Sequence, residues 1–305
     1  MPKAMRDVFG ETLCELKENP KIVVLDADLG SATRALKFKD VCPERFLDIG
    51  IAEQNMVGIA AGLSTCDMIP IATTFSVFIT GRAFDQVRNT VAHGNLNVKL
   101  VGTHNGVCVG YDGATHEAVE DIALMRSVPN MVVLVPADAK ETEMAIKAAI
   151  AYKGPVYLRI SRIAVPDIHG DDYKFCIGKG EVLRDGTDVA IISTGIMTSR
   201  AIEAAEILLK DGVHASVVNI CSIKPIDRKL IVEVAKRTKR IVTVEEHTII
   251  GGLGSAVSEI LSVEWPVPIR FVGINDEFGT SGAPEVLLEK YKLTAKDIIR
   301  AVKSF

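Results

Sequence analysis

Short apolar, β-branched runs alternate with amphipathic segments along nearly the whole chain. Strand-like runs stand at KIVVLD, MIPIATTF, NVKLVGTH, MVVLVPAD and PVYLRIS. Between them apolar positions recur at helical spacing. A first helix from about Ala4 to Glu18 presents Met5, Val8, Leu13 and Leu16 on one face, and further helices begin near Glu53, Gly81, Glu117 and Ala139. Asp138 is placed to cap the last of these, with Glu141 three residues on to close a capping box. Alternation of this kind predicts parallel α/β architecture.

The pattern lapses from Ile163 to Gly180, where IAVPDIHGDDYKFCIGKG is rich in Gly, Pro and Asp and reads as a linker. A second α/β series follows: DVAIIST, a helix over TSRAIEAAEILLKDG, ASVVNI, a helix from Asp227, RIVTVEE, then GGLGSAVSEIL, PIRFVGI, PEVLLEKY and TAKDIIRAVKSF. The expected organisation is two consecutive α/β domains, residues 1–165 and 181–305, joined by a linker over 166–180. Ligands of open parallel sheets sit at the carboxyl ends of the strands. DADLG, GTHNG and ISR occupy those ends in the first domain. The second offers CSIKP, EEH and NDEF, which share no common chemistry.

Composition narrows the partners. The 305 residues are 48% hydrophobic and 24% charged, an ordinary globular balance that suits two domains. A net charge of −4 speaks against nucleic acid or an anionic membrane surface as the main partner. No apolar run reaches the roughly 20 residues of a membrane span, and the N-terminus lacks a signal-peptide core. Six scattered cysteines without a CxxC pair read as reduced, so a cytoplasmic location is expected. No Walker motif occurs, and GGLGSAV is only a loose dinucleotide fingerprint, with Val257 at the third glycine position.

Three constellations carry candidate chemistry. Glu53 begins a helix containing Gly58, Ala60, Ala61 and Gly62, small enough for close backbone packing. On position alone Glu53 complements the helix dipole; behind the apolar FLDIGI it can instead share a proton with a ligand nitrogen in a dry crevice. Phe75 and Phe78 in TTFSVF are core residues or the walls of a flat-ring pocket. His104, Asp112 and His116 share one loop with Gly106, Gly110 and Gly113, whose glycines permit close ligand approach. Their spacing does not suit a compact metal site, and no metal ligand is assigned to this chain.

GIAEQNMVGIAAGL, the TF-x-x-F stretch and DG-x-TH together resemble the C-terminal half of transketolases, across essentially the whole chain. The resemblance implies a pyrimidine-binding domain followed by a smaller transketolase C-terminal-like domain. Its cofactors are thiamine diphosphate and Mg2+, and its activity is glycolaldehyde (two-carbon ketol) transfer between sugar phosphates, as in the pentose phosphate pathway. By that resemblance Glu53 pairs with the aminopyrimidine ring, Phe75 and Phe78 wall its pocket, and Asp28 lies near the thiazolium. His116 and His104 handle oxygen contacts and protons, Asp112 reads a substrate hydroxyl, and Arg6, Arg162 and His104 grip the sugar phosphate. His104 further separates transketolases from deoxyxylulose-phosphate synthases, which usually carry an acidic residue there. Three positions depart from the family pattern: Gly81 for Tyr, Tyr111 for Glu, and Ala32 for a phosphate-binding Ser that Ser31 or Thr33 can replace. The GDG run followed by Asn, which holds Mg2+ and the diphosphate in these enzymes, is absent. The implication is a split enzyme: an N-terminal subunit carrying GDG…N is the partner, and self-association through the pyrimidine domain makes an α2β2 heterotetramer. The rival readings are a β-type subunit of a 2-oxoacid dehydrogenase, against which DGATH speaks, a deoxyxylulose-phosphate-synthase-like enzyme, and a non-catalytic stabilising partner.

Overall fold

The computed structural model describes residues 2–305. Twelve strands form two sheets. In the first half run β1 (Ile22–Asp26), β2 (Phe46–Asp48), β3 (Ile69–Phe75), β4 (Lys99–Thr103), β5 (Val132–Leu134) and β6 (Val156–Ile160). In the second run β7 (Glu181–Arg184), β8 (Val189–Ser193), β9 (Ala215–Asn219), β10 (Ser222–Lys224), β11 (Ile241–Thr248) and β12 (Ile269–Ile274). The fold is two α/β units with mostly parallel sheets.

The first sheet has the order β10-β5-β6-β4-β3-β1-β2. The strands of the first half pair in parallel, and their buried faces explain their continuous apolar character: β1, β4, β5 and β6 are buried at every position. β10 is added antiparallel against β5, although it lies far along the second half of the chain. The second sheet, β12-β11-β8-β9-β7, is parallel except for the edge strand β7. Buried apolar side chains from Met5 to Val302 belong to one contiguous cluster, so the two units share a core. No helix among the described residues is long and apolar enough to cross a membrane.

Several local expectations are corrected. β2, β7 and β10 are short, and their chain segments carry no periodic signal of their own. The helix expected near Glu117 begins at Asp121. The segment after β3 is not an ordinary α-helix: Phe78–Arg82 and Gln86–Ala92 are π-helical, a form concentrated at functional sites. Asp138 does cap Ala139–Ala151, accepting the Glu141 N–H at 2.8 Å. The reciprocal half of the box is not made. The Glu141 carboxylate instead accepts from Ala137 N, Tyr173 Oη and Asn219 Nδ2, because burial beside the second unit offers it stronger partners. FLDIGI is not a buried run: Phe46 is buried, but Leu47 is exposed and Ile51 is 75% exposed. Gly58 and Gly62 pack against nothing, since a Cβ at either would meet no atom within 4 Å, and the close packing of that helix falls to Ala60 and Ala61.

Candidate active site

The order of the first sheet reverses direction at β1, whose neighbours are β2 on one side and β3 on the other. A crevice beyond the carboxyl ends of strands at such a point is where open α/β sheets bind ligands. β1 delivers Asp26 and Asp28 there, β3 delivers Phe75, and β4 delivers Thr103 and His104.

Glu53 opens the helix Glu53–Thr65 and is 1% exposed. Its carboxylate is held by Arg82, whose Nη1 lies 2.8 and 2.9 Å from the two oxygens. The Arg82 guanidinium also lies over the Phe78 ring, 4.4 Å from its centroid. Arg82 follows Phe78 by one helical turn, a spacing the sequence contained, yet nothing in the linear pattern paired it with Glu53.

The rings converge. Phe75 and Phe78 are nearly parallel, 8° apart with centroids at 5.9 Å. His104 stacks on Phe75 at 4.0 Å, and His116 meets Phe78 edge-on at 5.3 Å. Gly81 leaves the pocket wall open, with no atom within 4 Å of where its Cβ would be.

His104 is 2% exposed and adopts the left-handed conformation at φ 52°. Its Nδ1 is 2.9 Å from Thr103 Oγ1, and its Nε2 is 3.3 Å from Arg6 Nη1. Burial, aided by Arg6, Arg162, Arg34 and His116, pushes its pKa down to about 3, so the imidazole is neutral. Arginine can only donate, so Nε2 accepts from Arg6 and the ring proton sits on Nδ1, directed at Thr103.

Arg6, on the helix Met5–Glu15, also donates to Ala32 O at 3.2 Å. Arg34 donates to the adjacent Ser31 O at 3.3 Å and pairs with Asp7 at 2.6 Å. Two guanidiniums thus share one stretch of backbone, and the Arg6 pKa is lowered by burial and then by Arg34 and Arg162. Arg34 was not anticipated; its closeness to Arg6 comes from helix packing, since a Cβ on Gly10 would lie 2.6 Å from Arg34 O. Thr33 is buried and accepts from Ala35 N, whereas Ser31 is exposed. Arg162 donates to Val109 O at 2.5 Å and lies 3.5 Å from Asp112 Oδ2. Asp28 stands apart from the rings, exposed in the left-handed region, its N–H donating to Asp48. Behind it Asp26 is buried, with Oδ1 unpartnered and its pKa pushed up to about 6 by burial.

This donor set suits a flat heteroaromatic ring: parallel aromatic walls beside a buried carboxylate. Among the described residues no group of three or more His, Cys, Asp or Glu is placed to hold a metal ion.

Residues 1–167 match the family model for the transketolase pyrimidine binding domain, and residues 178–298 that for the transketolase C-terminal domain. A protein of Methanocaldococcus jannaschii described as a transketolase C-terminal section is 46% identical over 305 residues, covering 98% of this chain and 95% of its own. A 6-deoxy-6-sulfo-D-fructose transketolase subunit of Clostridium sp. is 41% identical, covering 97% of this chain and 92% of its own. A solved split-gene transketolase, titled an inactive β4 tetramer, is 51% identical and superposes with a TM-score of 0.91 over 100% of this chain and 98% of its own.

Proposed function

The chain belongs to the transketolase family, and on that premise we propose that it is the pyrimidine-side subunit of a split transketolase. It transfers a two-carbon ketol unit between sugars bearing a terminal anion, together with a separate chain that binds Mg2+ and the diphosphate of thiamine diphosphate. The observation that carries this reading is one run of contacts at the strand ends, from the buried Glu53 carboxylate through Arg82 and the parallel Phe78 and Phe75 rings to the Arg6–His104 pair. Thiamine diphosphate, when bound, supplies the carbanion-stabilising chemistry; the protein contributes orientation, charge and dryness.

Each residue then has a task set by its surroundings. Glu53, now paired with Arg82, would hold the cofactor's aminopyrimidine edge and a proton at its ring nitrogen. Phe75 and Phe78 exclude water and fix the ring plane. His116 is partly exposed, with Nδ1 at 2.9 Å from Thr115 Oγ1 and Nε2 free to meet a substrate oxygen. Asp112, exposed beside Arg162, reads a hydroxyl. Arg6, Arg34 and Arg162 form the anion site, with Ser31 the remaining hydroxyl at its edge. His104 acts there by accepting from Arg6, orienting the guanidinium. Asp28, exposed just beyond β1, would lie on the cofactor's side of these strand ends. Exposed Ile51 and Leu47 and the open Gly58–Gly62 face of the helix that Glu53 opens suit self-association through the pyrimidine domain into an α2β2 assembly.

Coexpression with a transketolase chain carrying GDG followed by Asn tests the assignment. Ketol transfer from a ketose phosphate is expected from the pair and from neither chain alone. Robust turnover by this chain in a preparation free of partner overturns it.

A further inference from the structure

The tripeptide Glu245–His247 closes β11 with all three side chains at or below 2% exposure, and each is committed to a different neighbour. Glu245 accepts from Leu253 N and Gly254 N, capping the helix that follows. His247 Nε2 accepts from Ala123 N, 3.3 Å away in the first unit. Glu246 reaches furthest. Its Oε1 accepts from Cys108 N at 2.7 Å, inside the loop that carries His104, Asp112 and His116.

The loop is shaped around that carboxylate. Gly106 has φ +64°, and a Cβ there would lie 2.2 to 2.5 Å from the Glu246 carboxyl atoms, so the acid occupies the space a side chain would need. The base of the loop is closed by Gly106 N donating to Ala118 O and by the bridge between Asn105 and Ala118. The far end of the loop is held from the same side. Glu117 is 3% exposed, and a Cβ on Gly279 would overlap its Oε2 at 1.5 Å. Ser281 Oγ donates to Tyr111 O nearby. The second unit therefore holds one end of the loop through the Glu246 carboxyl and the other through Gly279, packed on Glu117, and the Ser281 hydroxyl.

The pair is short of counter-charge. Glu246 Oε2 and both Glu117 oxygens have no hydrogen-bond partner. Facing Glu246 are Arg159 from β6, Asp121 from Asp121–Ser127, Cys108 and Glu117. Arg159 gives its Nε to Asp121 and its Nη2 to the Ala118 and Glu246 carbonyls, so it forms no ion pair with the Glu246 carboxylate. Facing Glu117 are Glu246, Asp112, Lys290 and the Thr280 backbone.

We propose that Glu246 is a positioning residue for the substrate loop, and that it and Glu117 hold the loop closed while their buried carboxyls are protonated. Ionisation leaves unpaired negative charge in a dry site and loosens the segment bearing Asp112 and His116. Burial raises both groups to about 7, reinforced at Glu117 by Glu246 and at Glu246 by Asp121. A carboxyl raised above its unfolded value stabilises fully below that value and loses its contribution as pH rises through the folded one. The clasp therefore weakens from about pH 4.5 through about pH 7. This inference deepens the functional reading above by naming what sets the loop.

The test is amide hydrogen exchange of segment 104–117 in the full chain between pH 5 and 8, corrected for intrinsic rates. Because it needs no turnover, it fails or succeeds independently of the transketolase assignment. Wild-type protection should fall by up to about tenfold per pH unit for each proton between about pH 4.5 and 7, and level off above. Glu246→Gln keeps an acceptor for Cys108 N and cannot ionise, so the pH dependence should shrink to what Glu117 contributes; Glu117→Gln should reduce it likewise. Glu246→Ala should lose protection at Cys108 at every pH. In the active complex, Glu246→Ala should raise KM more than it lowers kcat, with Glu246→Gln restoring KM. Wild-type-like protection in Glu246→Ala, or an unchanged pH dependence in both Gln variants, overturns the proposal.

Discussion

The Glu53 carboxylate is closed off by the Arg82 guanidinium, which meets both of its oxygens from 2.9 Å or less while lying on the Phe78 ring. The acid is buried and its partner is nearly half exposed, so the pair can open outward without disturbing the core. Arg82 thus holds the place where the proposed cofactor ring would enter.

Glu53→Ala should remove the proton-holding group at little cost in folding. Positioned acid–base groups contribute about 10²–10⁴ in rate, whereas an ion pair with one exposed partner contributes at most about 1 kcal/mol. Exchange of the cofactor's C2 proton, followed by NMR in the reconstituted complex, should slow by the first factor while the melting temperature hardly moves. Exchange at the wild-type rate would leave Glu53 a purely structural acid.

Truncating Arg6, Arg34 or Arg162 should weaken anionic sugars selectively, by about 1.5–3 kcal/mol for each lost charged hydrogen bond. Hydroxypyruvate, an unphosphorylated donor whose carboxylate departs as CO2, should be used nearly unchanged. Asp112→Ala should instead blur discrimination between hydroxyl configurations and leave anion dependence intact. Matched phosphorylated and plain sugars in steady-state kinetics separate these outcomes, and equal losses on all substrates would mean that the residues only hold the loop.

His104 and His247 are both buried as neutral imidazoles, lowered to about 3 and about 4 chiefly by burial. Their contribution to stability is complete above the unfolded value near 6.5 and is lost as pH falls toward the folded ones, at up to about 1.4 kcal/mol per unit for each. Thermal melts from pH 7 to 4 should show this slope, reduced in His104→Gln. The His104 ring signals should not titrate between pH 8 and 5.

A chain ended near residue 175 should not fold as an independent unit. It would lose β10 from the sheet edge, the Asn219 partner of Glu141 and the Glu246 partner of Cys108, leaving buried polar groups unsatisfied at about 1–3 kcal/mol each. Far-UV circular dichroism with urea titration of the truncated chain checks this.

The sequence by itself determined the alternation of strands and helices, because buried parallel strands must be continuously apolar and their covering helices amphipathic. It also placed Glu53 at a helix start, Phe75 and His104 at strand ends, and Phe78 and His116 in the segments that follow them, since those positions follow from element order alone. The short strands β2, β7 and β10 escaped it: three or four residues carry no period, and they form because an existing edge offers them hydrogen bonds. Contacts between distant segments were equally illegible. Arg82 finds Glu53, Arg34 finds Arg6, and Glu246 finds Cys108 only after the sheets have twisted and the two units have packed. A charged side chain in a linear pattern reads as solvated, and only the tertiary structure, by removing water and supplying one particular partner, decides that it is not.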